Sequence, residues 1–258
     1  MIFSFLISLW IYFLQTLQSG LNVWALIGSL ALTFLFYFFE KRKEEPFIDV
    51  VFLKKNRNVS LVYLQYIFAT IIFFAMLLSI PSYLQSELML SPKLTGIIML
   101  SLSIFSIIST PLATHWIEKS GYKIPLLIGV MIGVVGVVLL MTINQSSPLY
   151  WIFIVLSIIG FSNGILNIGL QTLLYSFVST SKTGTASGLF LTSRFIGNIL
   201  ASSAFGIMFA TGVNDTNLNW MTVILIVVSI ILLSGILFIS KGKSVKGNLE
   251  LDETDGVM

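Results

Sequence analysis

The apolar residues of this chain come in runs of roughly 20 separated by short polar connections, which is the length a helix needs to cross the hydrocarbon of a bilayer. In lipid no water is at hand for backbone N–H and C=O groups, so a crossing segment must satisfy them itself, as a helix does. Transmembrane strands would show shorter, alternating segments. Because 56% of the residues are hydrophobic and only 10% are charged, the polar surface is too small to cover a water-soluble globule of 258 residues. The expected fold is all-α and integral to the membrane, with about eight transmembrane helices.

The spans read at about 2–18, 21–39, 60–83, 94–114, 124–143, 149–176, 185–210 and 220–240. The first starts at Met1 without a basic leading region or a small-residue cleavage site, so it reads as a retained helix rather than a removable signal peptide. Between the second and third spans lies a basic, amphipathic connector over residues 40–58. Its apolar residues suit the headgroup boundary and its lysines suit anionic lipid. The organisation expected is two helices in 1–39, the connector, a six-helix bundle in 59–240, and a polar, locally acidic tail in 241–258.

Charge placement predicts orientation, because the cytoplasmic side keeps an excess of Lys and Arg. One face collects Lys41, Arg42, Lys43, Lys54, Lys55, Arg57, Lys119, Lys123, Lys182, Lys241, Lys243 and Lys246, and the other Lys93 alone. Eight spans with that bias put both termini in the cytoplasm of a multi-pass cell-membrane protein. The net charge of +3 is small and speaks to orientation, not to nucleic-acid binding. With no cysteine and one histidine, His115, the chain has no thiolate or His-built metal centre to offer, and no cofactor is expected. No nucleophile with a base and no paired membrane carboxylates point to an enzyme.

A helix facing lipid can be apolar all round, whereas one lining an aqueous path carries polar side chains along one face. The fifth and eighth spans look peripheral by this criterion. The sixth places Asn163, Asn167 and Gln171 four residues apart on one face, and the seventh does the same with Arg194, Asn198 and Ser202. The fourth adds Ser103, Ser106 and Thr110, and the third Gln65, Tyr66 and Thr70. Two readings stand for the amides: they line a cavity, or they join helices for roughly 1 kcal/mol each. The hydroxyls can instead bond their own helix carbonyls. Arg194 is the one charge within a predicted span, where it costs about 2.5–3.5 kcal/mol on insertion scales. Its partner is carbonyl groups, water, substrate or another chain, unless it snorkels to an interface as a structural residue. Gly129 and Gly133, Gly160 and Gly164, and Gly184 and Gly188 are pairs spaced for close helix approach.

The segment between the fourth and fifth spans runs from Thr114 through Glu118, Lys119, Gly121 and Tyr122 to Lys123. It resembles the signature loop of the major facilitator superfamily, Gly-x-Leu-Ala-Asp-Arg-x-Gly-Arg-Lys. Glu118 stands at the acid, Lys119 at the first base, Gly121 at the turn glycine and Lys123 at the last base. Thr114 and Tyr122 replace the first glycine and the middle base. An acid and bases at helix ends can hold two helices in one conformation and release them in another, so the resemblance implies a gating loop. Glu45-Pro46-Phe47-Ile48-Asp49, Gly160 to Gly164 followed by Gln171, and Gly184-Thr185-Ala186-Ser187-Gly188 running to Arg194 and Gly197 are similar to the fourteen-helix drug:proton antiporters of that superfamily.

That resemblance covers nearly the whole chain. It implies that spans one and two are the two extra central helices, that spans three to eight are the C-terminal half, and that the first six helices, with the antiporter motif and the proton-linked acids, lie outside this chain. It further implies a binding site for amphipathic small molecules with Asn163, Asn167, Gln171, Arg194, Asn198 and Gln65 as wall candidates, protons as the coupling ion, and, in the bilayer, either a separate N-terminal six-helix half as partner or a longer transporter of which this chain is a truncated product. The alternative is a membrane module that does not transport but stabilises or regulates another helical bundle through its glycine-lined faces.

Overall fold

The computed structural model describes residues 22–41 and 56–239, with scattered positions between residues 6 and 16. Most of the first span, residues 42–55 of the connector and the tail from residue 240 lie outside the described residues. The described chain is helical: α1 Val23–Lys41, α2 Arg57–Ser86, α3 Pro92–Ser120, α4 Lys123–Leu140, α5 Leu149–Ser176, a 3-10 turn Thr180–Lys182, α6 Thr183–Met208 and α7 Asp215–Phe238.

Local chemistry sets several of these ends. Ser91 caps α3, its hydroxyl accepting from the Leu94 N–H at 3.4 Å, with Pro92 in the first turn where its missing N–H is harmless. Asn214 caps α7 through the Asn217 N–H at 2.9 Å, and Asp215 adds an acid to that first turn. Gly121 ends α3 at φ +75°, a left-handed conformation that favours glycine, and its N–H reaches the Ile117 carbonyl at 2.9 Å.

Five helices, α2 to α5 and α7, are long and apolar enough to cross a membrane. At 18 residues α4 is about 27 Å long, close to the hydrocarbon thickness. Helix α6 has 26 residues, but its hydroxyls, Asn198 and Arg194 dilute its apolar content, a composition suited to a helix that does not face lipid all round. In α1 the apolar stretch is the shorter Val23–Leu35. Scattered residues of the first span meet α1, with the Trp10 indole N–H donating to Thr33 Oγ1 at 3.0 Å. Helix α1 itself makes no contact with α2–α7 among the described residues.

Helices α2 to α7 form one bundle around a core that includes Met76, Ile80, Tyr83, Leu102, Leu156, Leu170 and Leu225. The most extensive pairings are α3 with α5 and α2 with α6, followed by α4 with α5 and α4 with α7. The pattern has internal symmetry. Exchanging α2 with α5, α3 with α6 and α4 with α7 carries the α3–α5 contact onto α6–α2, α4–α5 onto α7–α2, α3–α4 onto α6–α7 and α2–α3 onto α5–α6. Two three-helix units therefore pack as a repeat, the arrangement found within each six-helix half of major facilitator transporters.

Glycine produces the tightest of these approaches. A Cβ at Gly160 would lie 2.2 Å from the Leu102 carbonyl oxygen, and one at Gly164 would lie 2.2 Å from that of Ser106, so α5 lies backbone to backbone on α3. On α4, Gly129 and Gly133 meet the Ile165 and Ser162 side chains of α5, and the Ser162 hydroxyl donates to the Gly129 carbonyl at 2.7 Å. Gly184 and Gly188 behave differently from the expectation of close packing, since a Cβ at either would meet nothing within 4 Å.

Candidate substrate cavity

One contact decides how α6 lies on α2. At Gly197 a Cβ would sit 2.8 Å from the Ile67 carbonyl oxygen and 2.9 Å from the Thr70 Cβ, so only glycine lets the helices approach this closely. The same contact stacks Tyr66 on Phe190 at 3.6 Å between ring centroids, with the planes 11° apart. It also brings the Tyr63 hydroxyl to the Ala186 carbonyl at 3.3 Å. These contacts carry Arg194 and Asn198 alongside the inner face of α2.

A cavity of about 110 Å³ opens there between α2, α5 and α6. Its polar lining is Tyr66, Thr70, Asn163, Asn167, Arg194 and Asn198, and Ala69, Phe73, Phe74 and Leu77 make the apolar wall. Four sequence-derived candidates, Asn163, Asn167, Arg194 and Asn198, thus meet in one space from two helices. Arg194 lines the cavity and is nevertheless exposed, so the space opens out of the bundle rather than being sealed within it.

The amides divide their work. Asn163 Nδ2 donates to Ser106 Oγ on α3 at 3.0 Å, so this residue joins helices and lines the cavity at once. Asn167 and Arg194 both lie close enough to the Tyr66 hydroxyl to act on it electrostatically. Gln171 lies one turn further along α5 and outside the lining: its Nε2 donates to the Tyr175 hydroxyl at 3.1 Å, which meets Ser187 Oγ on α6 at 2.8 Å. Gln65 is also elsewhere. It is 2% exposed and packed on Gly235 of α7, because helical geometry turns it about 100° away from Tyr66 and so off the cavity face.

Helix α3 contributes no lining residue, although its hydroxyl stripe suggested a wet face. Thr110 instead donates to the Ser106 carbonyl at 2.9 Å, and the Ser106 hydroxyl accepts from Asn163. The lining residues that sequence reasoning did not single out are the apolar ones, Ala69, Phe73, Phe74 and Leu77, which resemble lipid-facing residues until the position of α6 is known. Among the described residues no cluster of His, Asp and Glu could hold a metal ion.

The loop of the sequence resemblance is a two-residue turn, with Glu118 and Lys119 exposed in the last turn of α3 and Lys123 exposed at the start of α4. Among the described residues no carboxylate pairs with either lysine.

Residues 1–202 match the family model described as Major Facilitator Superfamily. The chain belongs to the major facilitator superfamily. Its similar proteins include the uncharacterized MFS-type transporter YwoD of Bacillus subtilis strain 168, 35% identical over 205 residues that cover 79% of this chain and 45% of that protein. The multidrug resistance protein Stp of Mycobacterium tuberculosis is 25% identical over 207 residues, covering 78% of this chain and 36% of Stp. Another uncharacterized MFS-type transporter of Bacillus subtilis, YvkA, is 29% identical over 187 residues, 67% of this chain and 39% of YvkA. The chain thus spans less than half the length of these curated relatives. Two three-helix repeats within one six-helix bundle are the architecture of each half in that superfamily.

Proposed function

We propose that α2–α7 form the C-terminal half of a secondary transporter that exports amphipathic small molecules by alternating access, rocking against an N-terminal six-helix half. The observation that carries this reading is the meeting of Asn163, Asn167, Arg194 and Asn198 in one cavity beside an aromatic wall. Efflux of several drugs is supported by the likeness to Stp, described as a multidrug resistance protein.

Proton coupling fits the fourteen-helix antiporter resemblance. No carboxylate lines the cavity among the described residues, so the proton-carrying acids belong to the opposing half in this account. The Glu118–Lys123 turn acts as the gating loop, on the cytoplasmic side that the bias in Lys and Arg assigns to it. Gln171, with Tyr175 and Ser187, ties α5 to α6 next to the site.

The test is accumulation of Nile red, a neutral amphipathic dye, in energised bacteria expressing this chain alone or together with an N-terminal six-helix half taken from YwoD. Export that requires both halves is expected. Robust export by this chain alone would overturn the half-transporter reading.

A further inference from the structure

From the distribution of charge in the cavity we infer that it selects amphipathic substrates bearing an anionic group, held at Arg194. This rests on reading the α2–α5–α6 cavity as the substrate site, and adds to it the sign of the charge recognised.

Arg194 is the one charged residue in the lining. The acids described in α2–α7 and their connections, Glu87, Glu118 and Asp215, all sit at helix ends. The guanidinium therefore lies in a membrane-embedded cavity with no carboxylate beside it among the described residues. Among the described residues neither the guanidinium nor the Asn198 side-chain amide one turn along makes a hydrogen bond. A guanidinium presents a planar fork of N–H donors that matches a carboxylate, sulfonate or phosphate oxygen pair. An organic cation would meet a like charge and find no acid in this wall to offset it.

The lining is also polarised along its length. Tyr66, Asn167 and Arg194 gather at one level, near the Tyr66–Phe190 stack. Phe73, Phe74 and Leu77 follow along α2 toward its other end, and Tyr66 to Leu77 spans about 16 Å of helix. Thr70, Asn163 and Asn198 lie between. An amphipath with an anionic head at Arg194 and a flat apolar body against Phe73 and Phe74 matches this order. A neutral amphipath can use the apolar wall and the amides but gains nothing from the guanidinium.

The test uses the full chain in lipid nanodiscs and three probes that share one ring system: 1-naphthoate, 1-naphthalenemethanol and 1-naphthylmethylammonium. Binding is measured by equilibrium dialysis against empty nanodiscs. The naphthoate should bind at least ten-fold more tightly than the ammonium probe. Arg194→Gln should abolish that preference, weakening naphthoate binding far more than naphthalenemethanol binding, and Arg194→Lys should keep part of it. Asn198→Asp, which sets an acid one turn from the guanidinium, should move the preference toward the ammonium probe.

Equal binding of the three probes, or naphthoate binding indifferent to Arg194→Gln and Asn198→Asp, would overturn anion selection. If Asn167→Leu then weakens all three alike, the substrate-cavity reading stands without it. Failure of every probe to bind above empty nanodiscs would overturn both.

Discussion

Replacing Gly160 by alanine tests the contact on which the bundle's most extensive helix pair depends. The new Cβ would lie 2.2 Å from the Leu102 carbonyl oxygen and 2.9 Å from the Leu102 Cα, all backbone atoms of α3 that no rotamer change can clear. Ordinary C···O contacts sit near 3.3 Å, so α3 and α5 must part by about 1 Å at this point. A gap of about 0.5–1 Å forfeits a quarter to a half of each dispersion contact it opens, and overpacking of this kind costs about 1–3 kcal/mol. Gly188→Ala is the matched control: it too is a helical glycine, but its Cβ would meet nothing within 4 Å, and it should gain about 0.5–1 kcal/mol of helix propensity. Thermal inactivation of the purified protein in one detergent, followed by loss of the monodisperse peak after heating, should put Gly160→Ala several degrees below the parent and Gly188→Ala level with it or above. Equal midpoints for the two variants would refute the assignment of Gly160 to a backbone-to-backbone contact.

Asn167→Leu should weaken substrate binding in an assembled transporter while leaving the amount of inserted protein unchanged; undiminished transport would mean that the amide only joins helices. Gln65→Leu should preserve or raise stability by up to ~1 kcal/mol, because the buried Gln65 Oε1 has no hydrogen-bond partner and leucine removes that unsatisfied acceptor. A loss of several degrees in the same heating assay would show that the Gln65 amide is needed where it meets Gly235. Asp215→Ala should destabilise by about 1–3 kcal/mol, since the Tyr83 side chain is fully buried and its hydroxyl donates to the Asp215 carboxylate. Tyr83→Phe should cost less than Asp215→Ala, and the reverse order would contradict a buried, orphaned hydroxyl as the cause.

The helices were legible because lipid leaves the backbone no other partner, so apolar length alone located them, whereas the caps at Ser91 and Asn214 emerged only with the structure. The polar faces were legible where spacing of four residues put Asn163 with Asn167 and Arg194 with Asn198. Rotation of α2 was not: Gln65 and Tyr66 are neighbours in sequence, and only the close approach of α6 at Gly197 decides that Tyr66 faces the cavity while Gln65 faces α7. The hydroxyls of α3 misled for a related reason. Serine and threonine can return their donors to carbonyls of their own helix, so a hydroxyl stripe does not report water as an amide or guanidinium stripe does. The apolar cavity wall left no signal, because Phe73 and Leu77 look alike whether they meet substrate or lipid.

The most direct test of the account is thiol accessibility, for which the cysteine-free sequence is a ready background. Single substitutions Asn167→Cys and Asn198→Cys, with Val227→Cys on the exposed apolar side of α7 as reference, would be reacted in native membranes with a charged, water-soluble methanethiosulfonate. If the amide face lines an aqueous substrate cavity, Asn167→Cys and Asn198→Cys react readily and Val227→Cys does not. Inert thiols at both cavity positions, or labelling no faster than at Val227→Cys, would contradict the cavity and the transport function drawn from it.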